Sequence, residues 1–498
     1  MNDIVTKPAK IRKPNVGSDP TKGARVRRWQ AGFYAFAIGV STVMIGLSLF
    51  YTLTGRFSRL LTAAAVLVTG LSWGLLTAKN DAFKEPDGIK VDAVEAALTS
   101  FVQQVADQVG APMPDAIYLV TTADFHITES TRYFGRKVDK SVLAIGLPYL
   151  QSMTRQELAA LLAHELGHYV DVGIEEGVRA QRSLRAARDL IWIERQGPIN
   201  GVYGSYARKM FRSIGGVGEA QEEAADRVAA MSYGTAALLS ALHKLDDTAV
   251  AFDQMLREYV VPALQNHMHP DDMFGGFGEL LASRTRAEER ERDVERRRAK
   301  ERNEFELHLT ASERTARVES WSTESARVTV ERADEGAHTL LDPEAKSVKI
   351  AVGSWAKKLM THRTEPQSWE QLVEQVYSVK TQSLASMVFD DEIPAGDQLE
   401  RAFVWSANGE WAQVDGSMEA CLKSIKDSTE RRTKWARCVV VEAAAATGGY
   451  SWQHSWDGPP VLVDETGDSL DAIGIAAMIA DGDAAMARST FDAATMNR

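Results

Sequence analysis

The sequence predicts a mostly helical α+β chain with two N-terminal transmembrane helices, a middle domain built around a metal-binding helix, and a C-terminal α+β unit. Three observations predict it. Two long runs near the N-terminus, Trp29–Gly55 and Leu60–Ala78, carry no charged residue. Residues 164–168 read His-Glu-Leu-Gly-His within the helical stretch TRQELAALLAHELGHYVD. Short apolar runs bounded by turn residues, at 117–120 and 142–147, read as strands among segments of helical period.

Each uncharged run is long enough to cross a hydrocarbon core of about 30 Å as a helix. A cleaved signal peptide fits poorly, because the first run starts late, is too long, and is followed by a second. Residues 1–28 form a basic tail, with Lys7, Lys10, Arg12, Lys13, Lys22, Arg25, Arg27 and Arg28 against Asp3 and Asp19, a net of +6. Such an excess keeps that end in the cytoplasm. The spans, residues 29–79, then form a hairpin that returns the rest of the chain to the cytoplasm. Arg56 and Arg59 in the short outer loop count against this orientation; Lys79, Lys84 and Lys90 count for it.

The whole chain carries −11, so the part after the tail carries −17, which argues against a nucleic-acid partner. The tail reads as a topology signal or a contact with anionic lipid. Cys421 and Cys438 are the two cysteines, and they build neither a disulfide framework nor a cysteine zinc site.

Residues 91–109 place Val91, Val94, Leu98, Phe101, Val102 and Val105 at helical spacing, which predicts a core helix. In the helix that follows the apolar runs, Thr154 and Glu157 form a capping box, and Leu158, Leu161, Leu162 and Leu166 supply an apolar stripe. His164 and His168, four apart, lie one turn above the other and reach one metal ion, while Glu165 points into the same cleft. A catalytic zinc takes three protein ligands and keeps a fourth position for water, so a third ligand is expected downstream. GEAQEEAADRVAAMSYG offers Glu222, with Asp226 one turn on to support a ligand histidine; Glu219 and Glu223 leave the register open.

With these residues in place, the chain resembles the HtpX and CAAX-prenyl-protease type of membrane zinc metallopeptidase, whose pattern is a His-Glu-x-x-His helix followed by a Glu-x-x-x-Asp helix. His164, Glu165 and His168, then Glu222 and Asp226, match it. The lead-in SVLAIGLPYLQSMTRQELAALLAHELGH also resembles the family's edge strand and active-site helix. His308 and Arg314 keep the spacing of a histidine and arginine that line the family's cleft, although Leu309 stands where a proline is usual. The resemblance spans roughly residues 30–345. It implies a gluzincin-type fold, one Zn2+ per chain, a protein or peptide substrate, and a multi-pass protein of the inner membrane with its catalytic domain facing the cytoplasm.

The ligand set implies its chemistry. Zinc makes water acidic near neutral pH and polarises a carbonyl, and Glu165 is the candidate general base. Arg314 or His308 is the candidate for stabilising the developing oxyanion. A binding or assembly factor with a structural metal site, and a zinc hydrolase acting on a non-peptide bond, remain as alternatives.

Three segments carry less. Residues 178–218 are too charged for a third span and read as an interfacial or lid helix. Residues 283–304, almost entirely charged, read as a solvated helix without a coiled-coil seam. From 346 onward lies an accessory unit holding seven of the eleven tryptophans, with no metal or nucleotide spacing; His362 and His454 are isolated. The predicted division is therefore 1–28 tail, 29–79 hairpin, 90–345 metallopeptidase domain and 346–498 accessory domain.

Overall fold

A computed structural model describes residues 20–56, 58–77, 85–91, 95–132, 137–170, 182, 200–299, 309–321, 326–343, 346–360, 363–389, 393–423, 425–458 and 460–495. The chain forms two compact units, one of residues 1–252 with 290–355, the other of 253–289 with 356–498.

In the first unit, α1 (Pro20–Leu53) and α2 (Arg59–Thr77) form a hairpin through Gly55, whose φ of +73° suits glycine. Ser48 and Thr62 hydroxyls meet across it at 3.0 Å. Among the described residues one helix, Arg27–Leu53, is long and apolar enough to cross a membrane, and Arg59–Gly70 is a shorter apolar stretch. Ile38, Val43, Leu49, Phe50, Leu60 and Val66 are exposed on this hairpin.

A four-stranded sheet follows, in the order β1 (Gly88–Val91), β2 (Ala116–Val120), β4 (Lys137–Gly146), β3 (Phe125–Arg132). The β2–β4 pair is parallel and the other two are antiparallel. The two apolar runs seen in the sequence are thus the inner strands. The edge strand expected in SVLAIG is an inner strand, the sheet's edges being β1 and β3, and the reason is burial. Val142, Leu143, Ala144 and Ile145 are sealed on both faces, which demands a continuous apolar run, whereas edge β3 reads FHITESTR and carries only a weak alternation.

Helix α3 (Ala96–Val109) buries Leu98, Phe101, Val102, Val105, Ala106 and Val109, as the period predicts, and ends at Gly110 in the left-handed region, whereas Val91, which the period assigns to the same helix, ends strand β1, and Val94 lies outside the described residues. After α4 (Leu147–Ser152) comes α5 (Arg155–Gly167). Its capping box forms as the sequence predicts: Thr154 accepts from the Glu157 amide at 3.3 Å, and Glu157 accepts from the Thr154 amide at 2.7 Å. Glu157 also accepts from Lys244 at 2.7 Å and from the Ser240 hydroxyl, so one carboxylate caps α5 and ties it to α7 (Thr235–Met255). Helix α5 is buried all round from Glu157 to Gly167, not along a single stripe, because Ala159, Ala160 and Ala163 let α3, α6 (Asn200–Tyr233) and β3 pack on its remaining sides. Helix α6 runs unbroken over Asn200–Tyr233. The segment 171–181 and residues 183–199, and with them about half of the expected lid at 178–218, lie outside the described residues; 200–218 form the first half of α6.

The charged run 284–298 is a helix, but two of its arginines are buried. Arg290 donates to Asp247 at 3.3 Å, while Arg286 donates to the Tyr259 hydroxyl at 3.1 Å and pairs with Glu258 and Glu289.

The second unit holds two small sheets. β5 (Met268–Pro270) pairs in parallel with β6 (Glu365–Gln367), and Trp369 donates its indole N–H to Asp272 O at 2.9 Å. These pairings between distant segments draw 253–289 into the C-terminal unit, where the sequence suggested one cut near 345. Helices pack around the fully buried Trp435, and β7 (Tyr450–Gln453) pairs antiparallel with β8 (Val461–Asp464). Burial pushes the Cys438 thiol up to about 11.

Candidate metal centre

Helix α5 brings His164, Glu165 and His168 to its C-terminal end, and α6 crosses it there. The crossing is close. A Cβ on Gly167 would lie 3.2 Å from Ala225 Cα, so glycine at this position lets the two backbones approach. Glu222 and Asp226, one turn apart on α6 and flanking that contact, then face the two histidines.

The Glu222 carboxylate lies 3.7 Å from His164 Nε2 and 3.4 Å from His168 Nε2. One donor atom from each of His164, His168 and Glu222 lies within 4.8 Å of the others, and all three residues are buried. Two imidazoles and a carboxylate converging in a buried pocket suit a divalent transition metal, and zinc above all. The open register resolves by exposure: Glu219 is exposed, Glu223 is held by Arg227 at 2.9 Å, and Glu222 alone of the three turns inward.

Behind the cluster runs a relay. Asp226 receives His164 Nδ1 at 2.8 Å, which leaves Nε2 toward the cluster. Arg314, on the helix Ala311–Glu319, donates to the same carboxylate from Nη2 at 2.6 Å and from Nε at 3.1 Å. Burial pushes the Asp226 carboxyl up, but the charge of Arg314 and the hydrogen bonds from His164 and Arg314 outweigh it and hold the group below its ordinary value. Arg314, with His308 one of two candidates for the developing oxyanion, lies here against Asp226. His308 lies outside the described residues.

Glu165 is buried and accepts the Ile127 amide N–H of edge strand β3 at 3.2 Å. Two residues along β3, Glu129 is buried and forked by Arg182 at 2.7 Å through both Nε and Nη2. Neither contact is visible in the sequence, since each joins residues tens of positions apart: Ile127 to Glu165 and Glu129 to Arg182.

This arrangement sits inside a longer match: residues 92–368 fit the family model of Peptidase family M48. The chain belongs to peptidase family M48. It is similar to Protease HtpX of Vibrio cholerae serotype O1 (strain M66-2), 33% identical over 147 residues, which is 27% of this chain and 49% of that protein. It is also similar to a Protease HtpX homolog of Prosthecochloris aestuarii (strain DSM 271 / SK 413), 31% identical over 137 residues, covering 26% and 45% of the two chains. A third, the Protease HtpX homolog of Desulfatibacillum aliphaticivorans, is 32% identical over 107 residues, 22% of this chain and 33% of its own. The matched region thus spans about half the length of these M48 relatives, or less. No solved structure matches the chain.

Proposed function

We propose that this M48 chain is a membrane-anchored, zinc-dependent endopeptidase that hydrolyses peptide bonds of membrane or misfolded proteins. The observation that carries the proposal is the buried convergence of His164, His168 and Glu222 with Glu165 beside them.

In this reading His164, His168 and Glu222 hold one zinc ion. When bound, zinc supplies Lewis acidity, which polarises a peptide carbonyl and brings the pKa of water to about 7. Glu165 takes the proton from the attacking water as the new C–O bond forms, and delivers it to the amine nitrogen as the C–N bond breaks. The Ile127 amide orients the Glu165 carboxylate for that task. Substrate lies extended along β3, where main-chain hydrogen bonds give affinity without demanding a side-chain sequence. Because Arg314 commits Nε and Nη2 to Asp226, we assign it to orienting that carboxylate, and through it His164, in place of direct contact with the oxyanion.

The membrane reading rests on the apolar side chains exposed along α1 and α2, which a lipid environment would cover. α1 and α2 then form a two-span hairpin in the inner membrane, with the metal centre on the cytoplasmic side together with the basic tail. Residues 346–498 belong in this reading to an accessory or substrate-selecting part.

The test is metal content and casein cleavage of the purified full-length protein and of Glu165→Gln. One zinc in both, with cleavage by the native protein alone, is the expected result. Zinc without cleavage of any unfolded protein would favour a binding factor with a structural metal. Absence of zinc would overturn the ligand assignment.

A further inference from the structure

At its head, α1 is fastened to the first half of α6. The Trp29 indole N–H donates to Ser213 Oγ at 2.8 Å, and the Tyr206 hydroxyl donates to Trp29 O at 2.8 Å. The Tyr206 ring stacks on Phe36 with centroids 5.4 Å apart and meets the fully buried Phe33 at 5.7 Å. Gly32 makes room, since a Cβ there would lie 2.5 Å from the Tyr206 hydroxyl. These contacts hold residues 206–213 beside the first turns of the apolar stretch Arg27–Leu53.

Basic side chains gather around this joint. Arg25, Arg27 and Arg28 are exposed on α1, and Lys209 and Arg212 are exposed on α6, with Arg208 half-buried beside them. No acidic residue occurs in the sequence between residues 20 and 80 or between 200 and 218. Two segments far apart in the chain thus bring cations to one joint, around a cluster of tryptophan, tyrosine and phenylalanine. Aromatic rings with polar tips at the end of an apolar span, and cations just beyond them, are the chemistry of a membrane–water boundary with anionic headgroups.

We propose that the junction of α1 with residues 206–213 of α6 is a binding site for the headgroup of an anionic phospholipid. The inference rests on the membrane reading of α1. It adds that the metal-ligand helix α6 is itself seated at the lipid surface, so that Glu222, on the same continuous helix, is held at a fixed height from that surface.

The test uses full-length protein in dodecyl maltoside micelles, titrated with fluorescently labelled phosphatidylglycerol and, separately, phosphatidylcholine. The native protein should bind phosphatidylglycerol at least about tenfold more tightly, and Arg208→Gln/Lys209→Gln/Arg212→Gln should lose most of that preference, at about fivefold per cation near an anionic surface. Arg27→Gln/Arg28→Gln on the other helix should lower it independently, which keeps the test decisive if the triple variant fails to fold. Equal binding of the two lipids, or native preference retained in both variants, would overturn the site. Displacement by millimolar inorganic phosphate would make it a small-anion site and overturn the lipid assignment. Flotation with pure phosphatidylcholine liposomes separates the two proposals: failure to float defeats the membrane reading, and flotation without lipid preference defeats this inference alone.

Discussion

Arg314 grips Asp226 through two nitrogens while Asp226 holds His164 Nδ1, so a guanidinium on one helix sets the orientation of a candidate ligand on another. The pair is buried, with Arg314 6% and Asp226 0% exposed, and losing either partner strands the other's charge. Arg314→Met should cost about 3–5 kcal/mol of stability and weaken zinc affinity roughly 10–100-fold. Arg314→Lys should recover only part of this, because an ammonium does not reproduce the fork. Chelator competition and thermal melts with and without zinc measure both; unchanged zinc affinity in the Met variant would break the proposed relay.

The α5–α6 crossing depends on Gly167. Gly167→Val pushes a branched side chain against Ala225 and should cost about 2 kcal/mol. The same displacement should move Glu222 away from the histidines and lower the zinc retained after dialysis. Native stability together with native metal content would show that the helices separate without consequence.

Glu157 gives a pH-dependent prediction. Burial pushes its carboxyl up, but Lys244, Ser240 and the Thr154 amide outweigh that and hold it below its ordinary value. A carboxyl depressed in the folded state stabilises above its unfolded pKa of about 4.3, and that contribution fades as pH falls through the folded value. Glu157→Gln keeps the cap geometry but removes the charge facing Lys244, a partner about a third exposed. It should therefore cost only about 1 kcal/mol near pH 7. The gap between the native and variant melting curves should narrow as pH falls below the ordinary carboxyl value of about 4.3; a constant gap on further acidification would point to lost packing.

The cysteines should separate by reactivity. Cys421 is exposed, whereas Cys438 is buried with its thiol pushed up to about 11. Iodoacetamide at pH 8 should label Cys421 and spare Cys438 until the chain is unfolded, as peptide mapping will show. Equal labelling in the folded protein would mean that the helix Ser428–Ala446 opens readily.

Much of the candidate site is legible in the chain because its parts are local. The spacing of His164 and His168 and the capping box of Thr154 with Glu157 each lie within one helix, where a period of 3.6 residues fixes direction. The edge strand is hard to read for the opposite reason. Buried β4 has the stronger apolar signal, while β3, which presents the Ile127 amide to Glu165, has a polar face and little periodicity. The charged run 284–298 likewise conceals Arg286 and Arg290, whose burial follows from carboxylates and a hydroxyl distant in sequence.

By itself, then, the sequence determined the apolar N-terminal runs, the core of helix α3, and the helix that carries the candidate ligands His164 and His168, all set by short-range spacing. Only the tertiary structure decided that Glu222 and not Glu219 or Glu223 faces the histidines, that Arg314 closes on Asp226, that β3 borders Glu165, and that residues 253–289 join the C-terminal unit. Those outcomes depend on which helix crosses which and at what distance. At Gly167 the approach to Ala225 is set by the absence of a side chain, and a missing side chain names no partner until the chain has folded.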